Sequence, residues 1–251
     1  MVRMAFAVRA ITLDLDDTVW PFAPIGARIE RVLDDWMRRH SPATADMFPV
    51  QAMRALRERV AAEHPSLAHD MSALRRLTLE AALRESGGDV ALADAAYDAF
   101  FAERNRVECY PDAITALERI SARLPVAALS NGNADLARIG LDHLFTAQLS
   151  ACTFGRAKPD PAIFLAACEL LELPPDEVLH VGDHPEADVA GAARAGLRSC
   201  WINRTGDDGR RADWTLAGVE PDLHFDSLAG LADWLEEALP GPAARIRSTH
   251  A

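Results

Sequence analysis

The stretch that decides the fold is Ala10-Ile11-Thr12-Leu13-Asp14-Leu15-Asp16-Asp17-Thr18. Its first four residues read as a strand, and two carboxylates two positions apart leave the strand's end. Side chains at i and i+2 of an extended chain share a face. Asp14 and Asp16 would therefore repel each other unless a cation or a shared proton lay between them. A strand ending in this way suits the holding of Mg²⁺ and the offering of a nucleophile. The plainer alternative is a strand running into an acidic turn, since Asp is common there.

Three later segments share the same grammar. Ala127-Ala128-Leu129-Ser130-Asn131-Gly132 is an apolar run ending in a hydroxyl, an amide and a glycine. A hydroxyl with neighbouring backbone N–H groups can bond phosphoryl oxygens. In Gly155-Arg156-Ala157-Lys158-Pro159-Asp160-Pro161, a lysine stands just before prolines that suit a helix start. A compact positive charge there can balance clustered carboxylates and phosphate. Val178-Leu179-His180-Val181-Gly182-Asp183 is a third apolar run, with Asp188 five residues beyond Asp183. Asp183 then stands at a strand end, and Asp188 in the first turn of a helix, near the metal shell or Lys158. Taken singly, each segment also reads as an ordinary strand-to-helix turn. His180, flanked by apolar residues, reads as a core histidine, and His184 as a loop residue.

Around these segments the chain divides in two. Helical spacing predicts helices near 26–40, 50–63, 71–86 and 91–107, with little strand signal before Tyr110. After Pro111, strands near 125–130, 148–152, 178–183, 198–202 and 222–225 alternate with helices near 112–123, 134–142, 160–172, 187–195 and 227–238. Such alternation predicts an α/β fold: a Rossmann-like, mostly parallel sheet with helices on both faces. Ligands on such sheets bind beyond the carboxyl ends of the strands, where Asp14, Ser130 and Asp183 all fall. The predicted domains are a catalytic core over 1–22 and 109–240, a helical insert over 23–108, and a frayed tail over 241–251. An insert of roughly 85 residues is too long for a loop. Its expected hinges are Trp20–Pro24 and Glu108–Pro111. Residues 205–221 read as an exposed loop.

Composition narrows the function. A chain of 251 residues that is 49% hydrophobic and 25% charged can bury a sizeable core. Its net charge of −12 argues against a general nucleic-acid binder and against a binder of anionic membranes. Cys109, Cys152, Cys168 and Cys200 show no metal-binding spacing and read as reduced thiols. Arg3 and Arg9 interrupt the first apolar run, which does not read as a signal peptide. No stretch approaches the ~20 apolar residues of a membrane span. A cytoplasmic location is expected by elimination.

In this order, Asp-x-Asp-x-Thr at 14–18, Ser130-Asn131, Lys158-Pro159 and Gly182-Asp183 with Asp188 resemble the haloacid dehalogenase-like hydrolase superfamily over residues 10–203. The resemblance implies Asp14 as nucleophile, forming an aspartyl-phosphate. It makes Asp16 the general acid, then the base. It implies Mg²⁺ held by Asp14, the Asp16 carbonyl and Asp183. Lys158, Ser130 and Asn131 would grip the phosphoryl group, with Thr18 and Asp188 in support and Asp17 without a role. The position of the insert implies a cap that closes over small substrates. The dehalogenase branch lacks an Asp at the place of Asp16, which favours phosphate transfer.

The same segments, with Cys200-Trp201-Ile202, resemble a bacterial subgroup acting on flavin mononucleotide and on 5-amino-6-(5-phosphoribitylamino)uracil. The insert matches that subgroup chiefly at His69-Asp70. Trp20, Phe22, His69 and Arg75 are the candidate specificity residues, against the plainer reading that the aromatics pack and that His69-Asp70 caps a helix. Nucleotidase, sugar phosphatase and phosphosugar mutase activities share this core. A non-catalytic phospholigand sensor is the alternative from another class.

Overall fold

The computed structural model describes residues 6–206 and 209–239. Six strands form one sheet: β1 (Ala10–Leu13), β2 (Val126–Ser130), β3 (Ala147–Ser150), β4 (Val178–Gly182), β5 (Arg198–Ile202) and β6 (Leu223–Phe225). Their order is β3-β2-β1-β4-β5-β6, and every neighbouring pair is parallel. The expected Rossmann-like α/β fold is thus the one found.

Before β2 come α1 (Phe22–His40), α2 (Pro42–Met47), α3 (Val50–Glu63), α4 (Met71–Glu85), α5 (Ala93–Arg104) and α6 (Ala113–Ser121). After it come α7 (Leu136–Ile139), α8 (Ala151–Phe154), α9 (Pro161–Leu170), α10 (Gly191–Ala195) and α11 (Leu228–Ala238).

Register places the site. Leu13 lies beside Ala128 on one side and Val181 on the other. The Asp14 N–H donates to the Val181 carbonyl at 2.8 Å, continuing the ladder by one residue. Asp14, Ser130 and Asp183 therefore emerge together, where β1 is flanked by β2 and β4. That is the reversal point of the strand order, where such sheets leave a crevice.

The core obeys the period of two. Ile11, Leu13, Ala128, Leu179, Val181, Cys200 and Ile202 share one cluster with Leu117 and Ile120 of α6 and Leu228, Leu231 and Leu235 of α11. Leu129 and Val178 instead join Ile163, Phe164 and Ala167 of α9 and Ala192 of α10. Alternate strand residues feed opposite layers, so both faces of the sheet are covered.

Residues 22–104 contain helices and turns but no strand. In α1, Ile25, Ile29, Leu33 and Met37 are buried at four-residue spacing, one stripe along the helix. They join the main cluster with Leu79, Leu83, Tyr97 and Phe100. Leu56, Val60, Leu74 and Ala82 form a separate cluster between α3 and α4.

Several boundaries differ from expectation. Helix α1 starts at Phe22, not near 26, because the Asp17 carboxylate accepts the Phe22 N–H at 2.9 Å. Pro24 then lies in the first turn, where a missing N–H is harmless. Helix α2, started by Pro42, was not expected. The helix expected over 134–142 is the single turn α7, stopped by Gly140 at φ +85°. The helix expected over 187–195 opens with a π-helical turn, Pro185–Ala190, before α10. In the expected loop, Gly206, Gly209, Arg210 and Arg211 are exposed. The tail expected over 241–251 lies outside the described residues. Among the described residues all four cysteines are free, and no helix is long and apolar enough to cross a membrane.

Candidate active site

Asp14 is buried at the floor of the crevice. Its Oδ1 accepts from Lys158 Nζ at 2.6 Å. The other oxygen, Oδ2, has only a long contact from the Thr18 hydroxyl at 3.4 Å. Lys158 precedes α9, and its ammonium also donates to Asp188 Oδ1 at 2.7 Å. Burial disfavours the charged lysine, but Asp14 and Asp188 outweigh it and raise its pKa. Lys158 is the cation that balances these buried acids.

A buried relay fixes Asp188. His180 Nε2 lies 3.0 Å from Asp188 Oδ1, and Nδ1 lies 2.9 Å from Thr12 Oγ1. Burial lowers the pKa of this histidine, so it stays neutral. A carboxylate only accepts, which puts the ring proton on Nε2 and makes the Thr12 hydroxyl the donor to Nδ1. The His184 N–H donates to Asp188 Oδ2 at 2.9 Å. Burial opposes ionisation of Asp188, but Lys158 and His180 prevail and hold it well below the usual carboxylate range. Gly182 makes room for this side chain: a Cβ there would sit 2.3 Å from the Asp188 carboxyl carbon. His180 is the core histidine expected, and the His184 ring accepts N–H groups from Glu186 and Ala187 in its own loop.

Asp183 follows the end of β4, near Asp14 and Asp188. Its backbone carbonyl is held by the Trp201 indole N–H at 2.7 Å, a support that no sequence signal marked. Burial, then Asp14, Asp188 and Asp17, push its carboxyl up to about 8. Burial, then Asp188 and Asp16, raise Asp14 to about 7 against the pull of Lys158. Asp14, Asp183 and Asp188 each offer an oxygen, and all of these lie within 4.8 Å of one another. The crowding of acids around a single lysine fits a divalent cation, which would relieve the repulsion. Both Asp188 oxygens already accept bonds, so Asp14 and Asp183 have the more available donors.

Ser130 ends β2, and its hydroxyl accepts the Gly132 N–H at 3.0 Å. The Asn131 amide is engaged elsewhere than expected. Its Nδ2 donates to the Lys158 carbonyl at 2.9 Å, and its Oδ1 accepts the Lys158 N–H at 2.7 Å. In this arrangement Asn131 positions the lysine.

Asp16 lines the cleft. The guanidinium of Arg104, at the end of α5, grips both its oxygens at 2.7 and 3.0 Å. The Trp20 indole N–H donates to Asp16 Oδ1 at 2.8 Å. Gly132 permits this approach, since a Cβ there would lie 2.6 Å from Asp16 Oδ2. Arg104 is a residue the sequence reading missed, because nothing local marks a helix-end arginine as the partner of a residue 88 positions away. Asp17 holds the start of α1 through the Phe22 N–H and also lines the cleft.

Of the candidate specificity residues, Phe22 and Arg75 line the cleft. Trp20 does not: it is fully buried, its ring packed in the core and its N–H committed to Asp16. His69 also lies outside the cleft lining, ahead of α4, whose N-cap is Asp70 accepting the Ala73 N–H. The capping alternative therefore describes Asp70, while Arg57 and Phe100 take places in the lining that the sequence did not single out.

Residues 8–196 match the family described as haloacid dehalogenase-like hydrolase. The chain belongs to that family. Among curated relatives, the 5-amino-6-(5-phospho-D-ribitylamino)uracil phosphatase of Escherichia coli is 32% identical, over 89% of this chain and 94% of its own. The phosphoserine phosphatase of Thermus thermophilus is 32% identical over 78% of this chain and 89% of its own. A solved 2-haloacid dehalogenase from Pseudomonas syringae pv. tomato superposes with a TM-score of 0.83 at 36% identity, over 92% of this chain and 99% of that one. The family, the fold and the resemblance to a ribitylaminouracil phosphatase are as expected, and with these relatives the chain is a phosphatase of the haloacid dehalogenase-like kind.

Proposed function

We propose that the chain is a Mg²⁺-dependent phosphomonoesterase that works through a phosphoryl-aspartate at Asp14 on a small phosphorylated metabolite. The observation that carries this reading is the division of labour between the two acids of the first motif. Asp14 lies beside Lys158 with one oxygen poorly occupied, while Asp16 faces the cleft where a leaving group would lie. Asp14 Oδ2 attacks phosphorus as the P–O bond to the alcohol breaks. Asp16 gives its proton to the departing oxygen, then takes one from the water that attacks the phosphoryl-aspartate, returning Asp14 and releasing phosphate. Lys158 holds Asp14 and offsets the phosphoryl charge, and Ser130 can turn its hydroxyl to a phosphoryl oxygen. Asp14, Asp183 and the Asp16 carbonyl would hold Mg²⁺, which when bound neutralises charge on the phosphoryl oxygens.

Residues 23–108 serve as the cap, in support of which they form an all-helical insert between β1 and β2. The Arg104–Asp16 pair ties that insert to the general acid, which must leave the guanidinium before it can carry a proton. The similarity to the Escherichia coli enzyme makes ribitylaminouracil phosphate and flavin mononucleotide the first substrates to assay. Carbon–halogen cleavage is the second reading, raised by the Pseudomonas structure. Halide leaves as an anion and needs no proton, so it gives Asp16 no task. Turnover of 2-chloropropionate without turnover of any phosphate ester would replace the phosphatase reading.

Asp16→Asn is expected to lower kcat/KM for alkyl phosphates by at least ~10²-fold, the scale of losing a general acid. Aryl phosphates, whose leaving groups need less protonation, should lose less. Equal losses for both classes would remove Asp16 from the acid role.

Chelation should stop turnover, and metal affinity should depend on pH with a definite sign. Without a cation, Asp183 and Asp14 keep protons up to about 8 and about 7. A cation binds the deprotonated forms, so protons compete more strongly as pH falls. The apparent Mg²⁺ affinity, measured by calorimetry, should fall by at least ~10-fold from pH 8 to pH 6. An affinity independent of pH would show that these two carboxylates are not the ligands.

A further inference from the structure

The cleft above Asp16 encloses about 630 Å³. In a protein of net charge −12, its walls carry four arginines, Arg54, Arg57, Arg75 and Arg104, against three carboxylates, Asp16, Asp17 and Glu30. The pairing within this set is uneven. Arg104 is committed to Asp16, and Arg54 grips both oxygens of Glu30. Asp17 accepts the Phe22 N–H. Among the described residues, Arg57 on α3 and Arg75 on α4 make no hydrogen bond or ion pair with protein, although both feel the field of Glu30.

Arg75 is nonetheless held in place. Its guanidinium carbon lies 4.7 Å from the centre of the Phe100 ring, over its face, a cation–π contact that anchors the side chain without using its N–H groups in a hydrogen bond. Burial and then the positive charge of Arg57 lower its pKa to about 10. Two guanidiniums that repel each other, in a cleft whose apolar wall includes Phe22, Met71 and Phe100, leave donors free for an acceptor from a ligand. A guanidinium presents N–H groups in a planar fork that matches paired oxygens.

We propose that Arg57 and Arg75 form a leaving-group subsite that binds an oxygen-acceptor group at the end of the substrate remote from its phosphate. The proposal rests on the phosphomonoesterase reading and adds to it the chemistry of the alcohol. Substrates carrying such a group gain bonds that bare polyol phosphates lack. Two sources offer that chemistry, a carboxylate and the carbonyl edge of a pyrimidinedione ring, and the same assay separates them.

The test measures kcat/KM for two matched pairs: 3-phosphoglycerate against glycerol 3-phosphate, and flavin mononucleotide against ribitol 5-phosphate. Wild-type protein should prefer the acceptor-bearing member of at least one pair. The Arg57→Gln/Arg75→Gln double variant should reduce that preference by at least ~10-fold, the scale of losing hydrogen bonds from a charged group. Arg57→Lys and Arg75→Lys should restore part of it if charge is what the acceptor needs. The pair that responds identifies the source. No wild-type preference in either pair, or a preference unchanged in the double variant, would overturn the subsite. Melting curves of each variant separate this from misfolding; if the double variant is unfolded, the single Gln variants carry the same comparison. Failure to hydrolyse a generic aryl phosphate would instead overturn the phosphatase reading beneath it.

Discussion

Asp14→Asn is expected to abolish steady-state turnover while leaving the fold in place. The amide has nearly the shape of the carboxylate but neither oxygen nor nitrogen can attack phosphorus. The loss should be at least ~10⁴-fold, on the scale of removing a nucleophile from an enzyme whose other groups persist. Stability should not fall with activity. Asp14 is buried, and burial, then the charges of Asp188 and Asp16, raise its pKa to about 7 against the pull of Lys158. A neutral side chain relieves that repulsion, while Lys158 keeps Asp188 as a partner at 2.7 Å. Metal-free Asp14→Asn should therefore melt no lower than metal-free wild type near pH 8. Substantial hydrolysis by a variant checked by mass spectrometry for deamidation would remove Asp14 from the nucleophile's role.

Lys158→Met is expected to harm both activity and stability, and the contrast with Asp14→Asn is informative. Its ammonium is the shared partner of two buried carboxylates, Asp14 at 2.6 Å and Asp188 at 2.7 Å. Methionine keeps much of the volume and removes the charge. Asp188 keeps His180, which is neutral, and the His184 N–H. Breaking a buried pair by removing one partner typically costs ~3–5 kcal/mol, because the remaining charge is stranded. Denaturant titration should show a loss of that order, and turnover should fall by at least ~10³-fold, the scale of losing a group that both positions the nucleophile and stabilises charge. A variant as stable as wild type would mean that Asp188 is protonated at little cost, contrary to its depressed pKa. The Asp188→Asn/Lys158→Met double variant should recover part of the stability, since it removes one of the stranded charges.

What could be read in the sequence was whatever is written locally. Strand ends are local: an apolar run followed by Asp14, Ser130 or Gly182-Asp183 announces both the strand and the place where its functional group emerges. Those residues do meet, because parallel register brings Leu13, Ala128 and Val181 side by side. The start of α1 was misplaced because its signal, the Asp17 carboxylate taking the Phe22 N–H, crosses a turn at Asp17 with φ +60°. Arg104 was illegible for another reason. Its partner Asp16 is chosen by how α5 returns over the crevice, and no spacing encodes that. Trp20 shows the limit of a composition argument: an aromatic beside a hinge suggested a surface for a ring, yet the side chain is buried and only its N–H reaches the site. Asn131 was assigned to phosphate on its motif, whereas the structure uses its amide to pin the main chain of Lys158.

The hairpin of α3 and α4 packs around Leu56, Val60, Leu74 and Ala82, an apolar cluster separate from the one beneath the sheet. Arg57 and Arg75 ride on those two helices, whereas Asp14, Ser130 and Asp183 are anchored on the parallel strands. Only the seam between the two helices is set apart in this way, since Leu79 and Leu83 on the far side of α4 belong to the cluster that includes the strands. Changes confined to that seam would alter the wall of the cleft while leaving the packing under the strand ends as it is.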